Sequence, residues 1–396
     1  MAEEPQIRFM DITLRDGEQA VGVIFTRREK AQIAALLAGI GVDAVEAGFP
    51  ALGPEEKDCV KAVVDAGIKV RKDGNSTQPL EVYGFARARK EDVSDAAECG
   101  VHGVVISIST SDVHIERRFN RTRAWVLDQV TAAAEEAKNH NLAFTVSAED
   151  ASRTDMAFLI EFYRHAEELG ARMVRYCDSL GIDDPFTAYR RIKQIRQALS
   201  IPIEMHAHND FGMATANVLA GLRAGATSVA ASIGGLGERA GNSPLEEVVM
   251  ALKYLHGVDP HIDTTRFREV AEYVAGASQR AIPIWKAIIG TNVFAHESGI
   301  HADGILKNPA NYEAFSPEAV GLERQMIIGK HSGSNAIMHK FNTEFGIEID
   351  HETANKILER VRATAVELKR PLFDKELMLL YKEITGATEE WSEAPW

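Results

Sequence analysis

The sequence is poor in cysteine. Its 396 residues include three, Cys59, Cys99 and Cys177. They lie far apart and form no CxxC pair, and an odd count makes no disulfide framework, so a reducing, cytoplasmic setting is expected. Long apolar runs are also lacking. No stretch approaches the roughly 20 residues of a membrane-spanning helix, so no membrane partner is expected. The opening "MAEEPQIRFM" has no apolar core and does not read as a secretion signal. Positive charge is in deficit, with 44 Lys and Arg against 58 Asp and Glu and a net charge of −14. A protein that grips a phosphate backbone needs a basic face, so nucleic acid is not an expected partner. Internal repeats and low-complexity segments are absent too. What remains is 45% hydrophobic and 26% charged, the profile of a globular domain.

Apolar, β-branched runs recur along the first two thirds of the chain: 7–13, 43–49, 82–87, 103–109, 143–147, 173–177, 201–207 and 227–233. Between them lie stretches of helical periodicity. "TRREKAQIAALLAGIG" opens on a Thr N-cap and closes on Gly, and "RTRAWVLDQVTAAAEEAKNHN" is a second example. Strand alternating with helix predicts parallel βα units, and eight of them predict an α/β fold, a closed (β/α)8 TIM barrel over 1–280. Beyond 280 the pattern becomes irregular and then helical, at "SNAIMHKFNTEFG" and "HETANKILERVRATAVELKR". A mostly helical subdomain over 281–396 is expected, with a frayed end at "TEEWSEAPW".

Active sites of such barrels lie at the C-terminal ends of the strands. Those ends carry Arg15, Asp16, Glu18 and Gln19, then Glu46, Arg87, Ser147, Glu149, Asp150, Asp178 and Ser179, then His206 and His208. Asn242 follows the last strand. So many polar groups would be costly in an ordinary core, and one cation that needs them is the simplest explanation. His206 and His208 are two apart on a strand and project to one face. With Asp16 they make an N2O set, to which the Asn242 amide oxygen adds a fourth donor. Such a set suits Mn2+, Zn2+, Co2+ or Mg2+ acting as a Lewis acid. The glycines of "GGLGERAG" do not match GxGxxG, and "GKHSG" is not a P-loop.

Five motifs in order, "TLRDGEQ", "HAHND", "GLGERAGN", "AHESGIHADGILKNPANYE" and "GKHSG", resemble the acyl-CoA:2-oxo acid Claisen condensation enzymes. That family includes 2-isopropylmalate, homocitrate and citramalate synthases. The resemblance implies that Asp16, His206, His208 and Asn242 hold the metal, which chelates the oxo acid. Arg15 then stabilises charge on the keto oxygen, and Gln19 and Glu46 line that pocket. Glu149 belongs to the acid/base region, and either Glu149 or His301 is implied as the proton carrier. His301 and Tyr312 match a pair that reaches into the partner subunit's site, which implies a homodimer. The implied reaction removes a proton from the acetyl-CoA methyl, adds the enolate to the ketone and hydrolyses the thioester to free CoA.

"AEDASRTD", "RYCDSLGIDDPF" and "HNDFGMATANVLAGLRAGAT" look most like homocitrate synthases of nitrogen-fixation cofactor assembly, which implies 2-oxoglutarate as substrate. "EAGFP" and "STSDVHIE" look more like 2-isopropylmalate synthase. Three positions depart from the family pattern. Thr145 stands where lysine-pathway homocitrate synthases carry an Arg for the distal carboxylate, Ser179 replaces a Thr, and Gly234 replaces an Asn. Arg87, Arg117 and Arg118 are the expected alternative cations. The departures keep phosphonopyruvate, 2-oxoisovalerate and pyruvate as alternative substrates. A hydroxymethylglutaryl-CoA-lyase-like reaction is disfavoured, because Leu236 occupies the place of that family's catalytic cysteine.

Overall fold

The computed structural model describes residues 7–72 and 76–387. They fall into two compact units, Met1–Ile282 and Pro283–Trp396. The segment "TEEWSEAPW" lies outside the described residues.

All eight expected strands form in the first unit: β1 (Arg8–Asp11), β2 (Ala44–Gly48), β3 (Glu81–Arg87), β4 (Gly103–Ser109), β5 (Ala143–Glu149), β6 (Met173–Asp178), β7 (Ile203–Ala207) and β8 (Ser228–Ala231). Each pairs in parallel with its neighbours, and β8 pairs with β1 to close the barrel. Every residue of β2, β6, β7 and β8 is buried, as expected for parallel strands covered on both faces. The expected strand at 7–13 stops early. Residues Thr13–Gly17 leave β1 as a buried π-helical turn, and that departure swings Arg15 and Asp16 over the barrel mouth.

Among the described residues of the first unit lie ten α-helices: α1 (Arg27–Ile40), α2 (Pro54–Asp65), α3 (Lys90–Ala97), α4 (Asp112–Arg117), α5 (Arg123–Asn139), α6 (Met156–Glu168), α7 (Pro185–Ala198), α8 (Ala214–Arg223), α9 (Leu245–Leu255) and α10 (Phe267–Ser278). Thr26 caps α1 through a reciprocal pair with Glu29, and Gly41 ends it at φ 97°. Thr122 caps α5. An antiparallel hairpin, Lys69–Lys72 with Ser76–Pro79, is inserted between α2 and β3 and was not expected from the sequence.

The barrel interior is divided. Met10, Ile12, Ala44, Tyr83, Val105 and Ala230 form one apolar cluster. Beside it, β6 and β7 turn Arg175 and Glu204 inward, both at most 1% exposed. The second unit has its own core, in which Ile337, Phe341, Ile357, Val361 and Leu377 are fully buried. Its helices are α11 (Gly299–Lys307), α12 (Ser334–His339), α13 (His351–Leu368) and α14 (Asp374–Thr385). Among the described residues, no helix is long and apolar enough to cross a membrane.

Asp11, at the end of β1, is fully buried and accepts from Thr13 N at 2.8 Å and Thr13 Oγ1 at 3.0 Å. Burial pushes its carboxyl up to about 7 from an ordinary 3.8. Between those pH values the native state keeps a proton that the unfolded chain releases. The stability it contributes is complete below pH 4 and is lost as the pH rises to 7. Asp11→Asn, compared with the parent by urea unfolding at pH 5 and pH 8, is expected to gain on the order of 3 kcal/mol relative to the parent at the higher pH.

Candidate metal centre and active site

The polar groups at the mouth are held by backbone that the sequence shapes closely. The turn Thr13–Gly17 presents Arg15 and Asp16 from β1. Strand β7 alternates, with Glu204, His206 and then His208 on the inward side. The loop after β8 is stitched back onto the end of β7: Ser243 N donates to Ala207 O at 3.0 Å, and Asn209 N donates to Gly241 O at 2.9 Å. This brings Asn242 beside His208. Two glycines make the loop possible. Gly241 has φ 93°, and a Cβ at Gly237 would lie 2.3 Å from Asn242 Nδ2.

Asp16, His206 and His208 converge, with one ligand atom of each within 4.8 Å of the others and all three side chains buried. The two Nε2 atoms face each other at 3.2 Å, and His206 Nε2 lies 3.8 Å from Asp16 Oδ2. Burial holds both imidazoles below their ordinary pKa, so both rings are neutral donors of lone pairs. Burial alone would raise the Asp16 carboxyl. The Arg15 guanidinium outweighs it and, with the Asn242 hydrogen bond, holds the carboxylate ionised. Asn242 Nδ2 donates to Asp16 Oδ1 at 2.9 Å, which leaves Asn242 Oδ1 buried without a protein partner. Two neutral nitrogens, a carboxylate and an unpartnered amide oxygen fit a divalent transition-metal or magnesium ion.

Arg15 is not a surface ion pair. It is 8% exposed, and it donates to Asp16 Oδ2 at 2.8 Å and to Glu46 Oε2 at 2.6 Å. Glu46 accepts in turn from Arg175 Nη1 at 2.8 Å, and Arg175 Nε donates to Glu204 at 2.5 Å. The four residues form a buried chain of alternating charge. Burial opposes ionisation of Glu46, but its two arginines hold it below the usual carboxylate range. The sequence reading placed Glu46 in the wall of the pocket; it lies instead beneath the open cavity, bonded to Arg15.

Above this chain opens a cavity of about 370 Å3. Arg15, Asp16, Gln19, His206 and His208 line one side, and Ser147, Glu149, Cys177 and Ser179 line the other. Gln19 Oε1 accepts from Arg15 at 3.2 Å. Glu149 ends β5 and accepts from Arg118 Nη1 at 2.8 Å. It does not cap α6, whose N-cap is Asp155. Ser179 Oγ accepts from Asp150 N at 2.7 Å. Burial raises the Cys177 thiol to about 12, so it is no nucleophile. Leu236 packs against Gly17 and presents no thiol.

Three expectations need correction or placement. Arg87 is turned away from the cavity: it pairs with Asp92 at the start of α3, with Nε–Oδ2 2.6 Å, and Phe85 takes the inward place on β3. Arg117 is likewise absent from the cavity wall, whereas Arg118 is in it. His301 and Tyr312 belong to the second unit, where their rings stack with centroids 4.3 Å apart. Sequence reasoning passed over Arg175, Ser107 and His114, all of which line the cavity. The signal for Arg175 was present, since an arginine two residues before Cys177 in a fully buried strand must have an inward partner.

Two family models match the chain: "HMGL-like" over residues 6–274, and "Homocitrate synthase post-HMGL domain-like" over 288–369. The chain is 53% identical over 382 residues to 2-isopropylmalate synthase 2 of Caldanaerobacter subterraneus, covering 96% of this chain and 97% of that one. It is 45% identical over 373 residues to homocitrate synthase 1 of a Nostoc species, covering 94% and 96% respectively. In fold it is similar to hydroxymethylglutaryl-CoA lyase from Pseudomonas aeruginosa, with a TM-score of 0.61 at 20% identity over 70% of this chain and 95% of that one.

Removal of one anionic donor tests the metal centre directly. Asp16→Asn is expected to weaken Mn2+ binding, followed by calorimetric titration, by at least about 100-fold, while the far-ultraviolet spectrum is kept.

Proposed function

Because the chain belongs to the HMGL-like family of acetyl-CoA-dependent condensing synthases, we propose that it joins acetyl-CoA to a 2-oxo acid at this cavity, with 2-oxoglutarate as the acid and homocitrate and CoA as products. The observation that carries the reading is the juxtaposition of the Asp16–His206–His208 cluster, Arg15 and Glu149 around one cavity.

A divalent ion bound by Asp16, His206, His208 and Asn242 supplies Lewis acidity toward the oxo acid. The chain's own residues do the rest. Arg15 is fixed by Glu46 and Asp16 and stands ready for the charge that develops on the keto oxygen. Glu149, held by the hydrogen bond from Arg118, takes a proton from the acetyl methyl. A second cavity shares Arg15 and Gln19 and has walls of Val23, Phe25, Phe49 and Leu52, which suit the thioester arm. Hydroxyls of Ser107 and Ser147, with the cation of Arg118, favour an acid with a second anionic end. Thr145 gives no charge there, and its buried hydroxyl has no protein partner.

A second reading, 2-oxoisovalerate as substrate, is favoured by the 53% identity to a 2-isopropylmalate synthase and by the apolar Phe85 and Leu180 in the same wall. Thiol release from acetyl-CoA, measured on the Mn2+-loaded protein, separates the readings. With 2-oxoglutarate, 2-oxoisovalerate, phosphonopyruvate, oxaloacetate and pyruvate compared side by side, the highest kcat/KM is expected for 2-oxoglutarate, by about 100-fold or more. A preference for 2-oxoisovalerate keeps the condensation and changes the acid. No thiol release with any acid overturns the reading.

The protein acts as a homodimer in this proposal, with His301 and Tyr312 completing the partner's site. Mixing inactive His301→Ala with inactive Asp16→Asn is expected to restore a quarter or less of parental activity, because only mixed dimers regain one intact site. Unmixed inactivity after subunit exchange, verified by mass spectrometry, counts against shared sites.

A further inference from the structure

Helix α4 and its C-cap present two residues one turn apart, His114 and Arg118, to the same carboxylate oxygen. Arg118 Nη1 is 2.8 Å from Glu149 Oε1, and His114 Nδ1 is 3.7 Å from it. The imidazole is itself held at both nitrogens. Nδ1 lies 2.8 Å from Ser109 Oγ, at the end of β4, and Nε2 lies 3.3 Å from Arg153 Nη2. A guanidinium only donates. Nε2 must therefore accept, and in the neutral ring the proton sits on Nδ1. Arg153 is anchored in turn by Asp150, which accepts at 2.6 Å from its Nη2 and from Ser111 Oγ. Asp150 adopts φ 63°, a left-handed conformation unusual for a residue other than glycine. The network thus fixes the tautomer and gives the Nδ1–H to Ser109 Oγ, with Glu149 Oε1 at 3.7 Å and Asp150 Oδ2 at 3.9 Å as its nearest carboxylate oxygens.

We infer that His114 is a positioning residue for Glu149: its Nδ1–H, locked in place by Arg153 on the far nitrogen, orients the carboxylate toward the cavity. The inference rests on the reading of Glu149 as the base of the condensation. A ring N–H 3.7 Å from the carboxylate is too long for a hydrogen bond, but Glu149 and His114 both line the cavity and are partly exposed, at 34% and 25%. A small rotation of the Glu149 side chain exchanges Arg118 for His114 as its donor.

The two ring nitrogens allow a test by substitution. Asparagine places an amide near Nδ1, whereas glutamine reaches the position of Nε2. His114→Asn is expected to keep kcat for thiol release within about three-fold of the parent, and His114→Gln to lower it by about 10- to 100-fold. KM for acetyl-CoA and for the oxo acid is expected to stay within about two-fold in both. The reverse pattern, active Gln and inactive Asn, overturns the inference in favour of a purely structural bond to Arg153. Equal loss in both variants overturns it as well, since the ring then counts only by its shape, and so does full activity in both. Glu149→Gln separates the two levels. If it keeps full turnover, the base assignment fails; if it abolishes turnover while both His114 variants behave alike, only the role of His114 fails.

Discussion

The active-site end of the barrel depends on one buried chain of ion pairs, Arg15–Glu46–Arg175–Glu204. Arg175 and the two carboxylates are at most 1% exposed, and Arg15 is 8% exposed. Charges removed from water this completely persist only when their partners are in place. Each member of this chain has a partner on either side or a hydroxyl at the end: Ser228 Oγ donates to Glu204 Oε1 at 3.0 Å. Such a chain contributes less to stability than to direction. Arg15 is gripped by Glu46 from below and rests over the Phe85 ring, with 4.6 Å from Cζ to the centroid. Its remaining N–H groups are aimed by elements three strands away.

The same chain explains why the interior is divided. Met10 and its apolar neighbours on β1 to β4 and β8 fill one side with ordinary packing. Polar groups of β2, β6 and β7 occupy the rest, and the cavity that opens above them is lined by residues that follow β1 and by β3 to β7. The apolar half is a wall that excludes water and raises the strength of every interaction across the cavity. Arg175 Nη2 touches Met10 Sδ at 3.1 Å, where the two halves meet.

Much of this was legible in the sequence, for physical reasons. Eight apolar runs separated by amphipathic helices leave few folds other than a closed parallel barrel, and the fold then says which strand ends matter. His206 and His208 were readable because a strand has period two. Arg87 was misread because strand ends splay. The strand's inward phase passes through Tyr83 and Phe85, and Arg87, one step further, finds Asp92 on α3 before it finds the cavity. Glu46 does meet Arg15, but one layer below the cavity wall in which the sequence reading put it. The hairpin at 69–79 lies outside the barrel repeat, so barrel periodicity gave no notice of it. His114 and Arg153 were invisible because their importance arises from a loop and a short helix meeting across two strands, and no spacing in the sequence encodes that meeting.

Asp16 and Asn242 are 226 residues apart and join side chain to side chain at 2.9 Å. The first follows β1 and the second follows β8, and these two strands form the seam at which the barrel closes. The candidate ligand set therefore straddles the seam. A nascent chain has the first donor almost at once, but it gains the last only after the eighth strand has docked against the first. An ion held there would act as a clasp on the finished cylinder. It would favour the closed barrel by mass action over any form in which the terminal strands have parted, and it would have nothing to hold in a chain that is still incomplete.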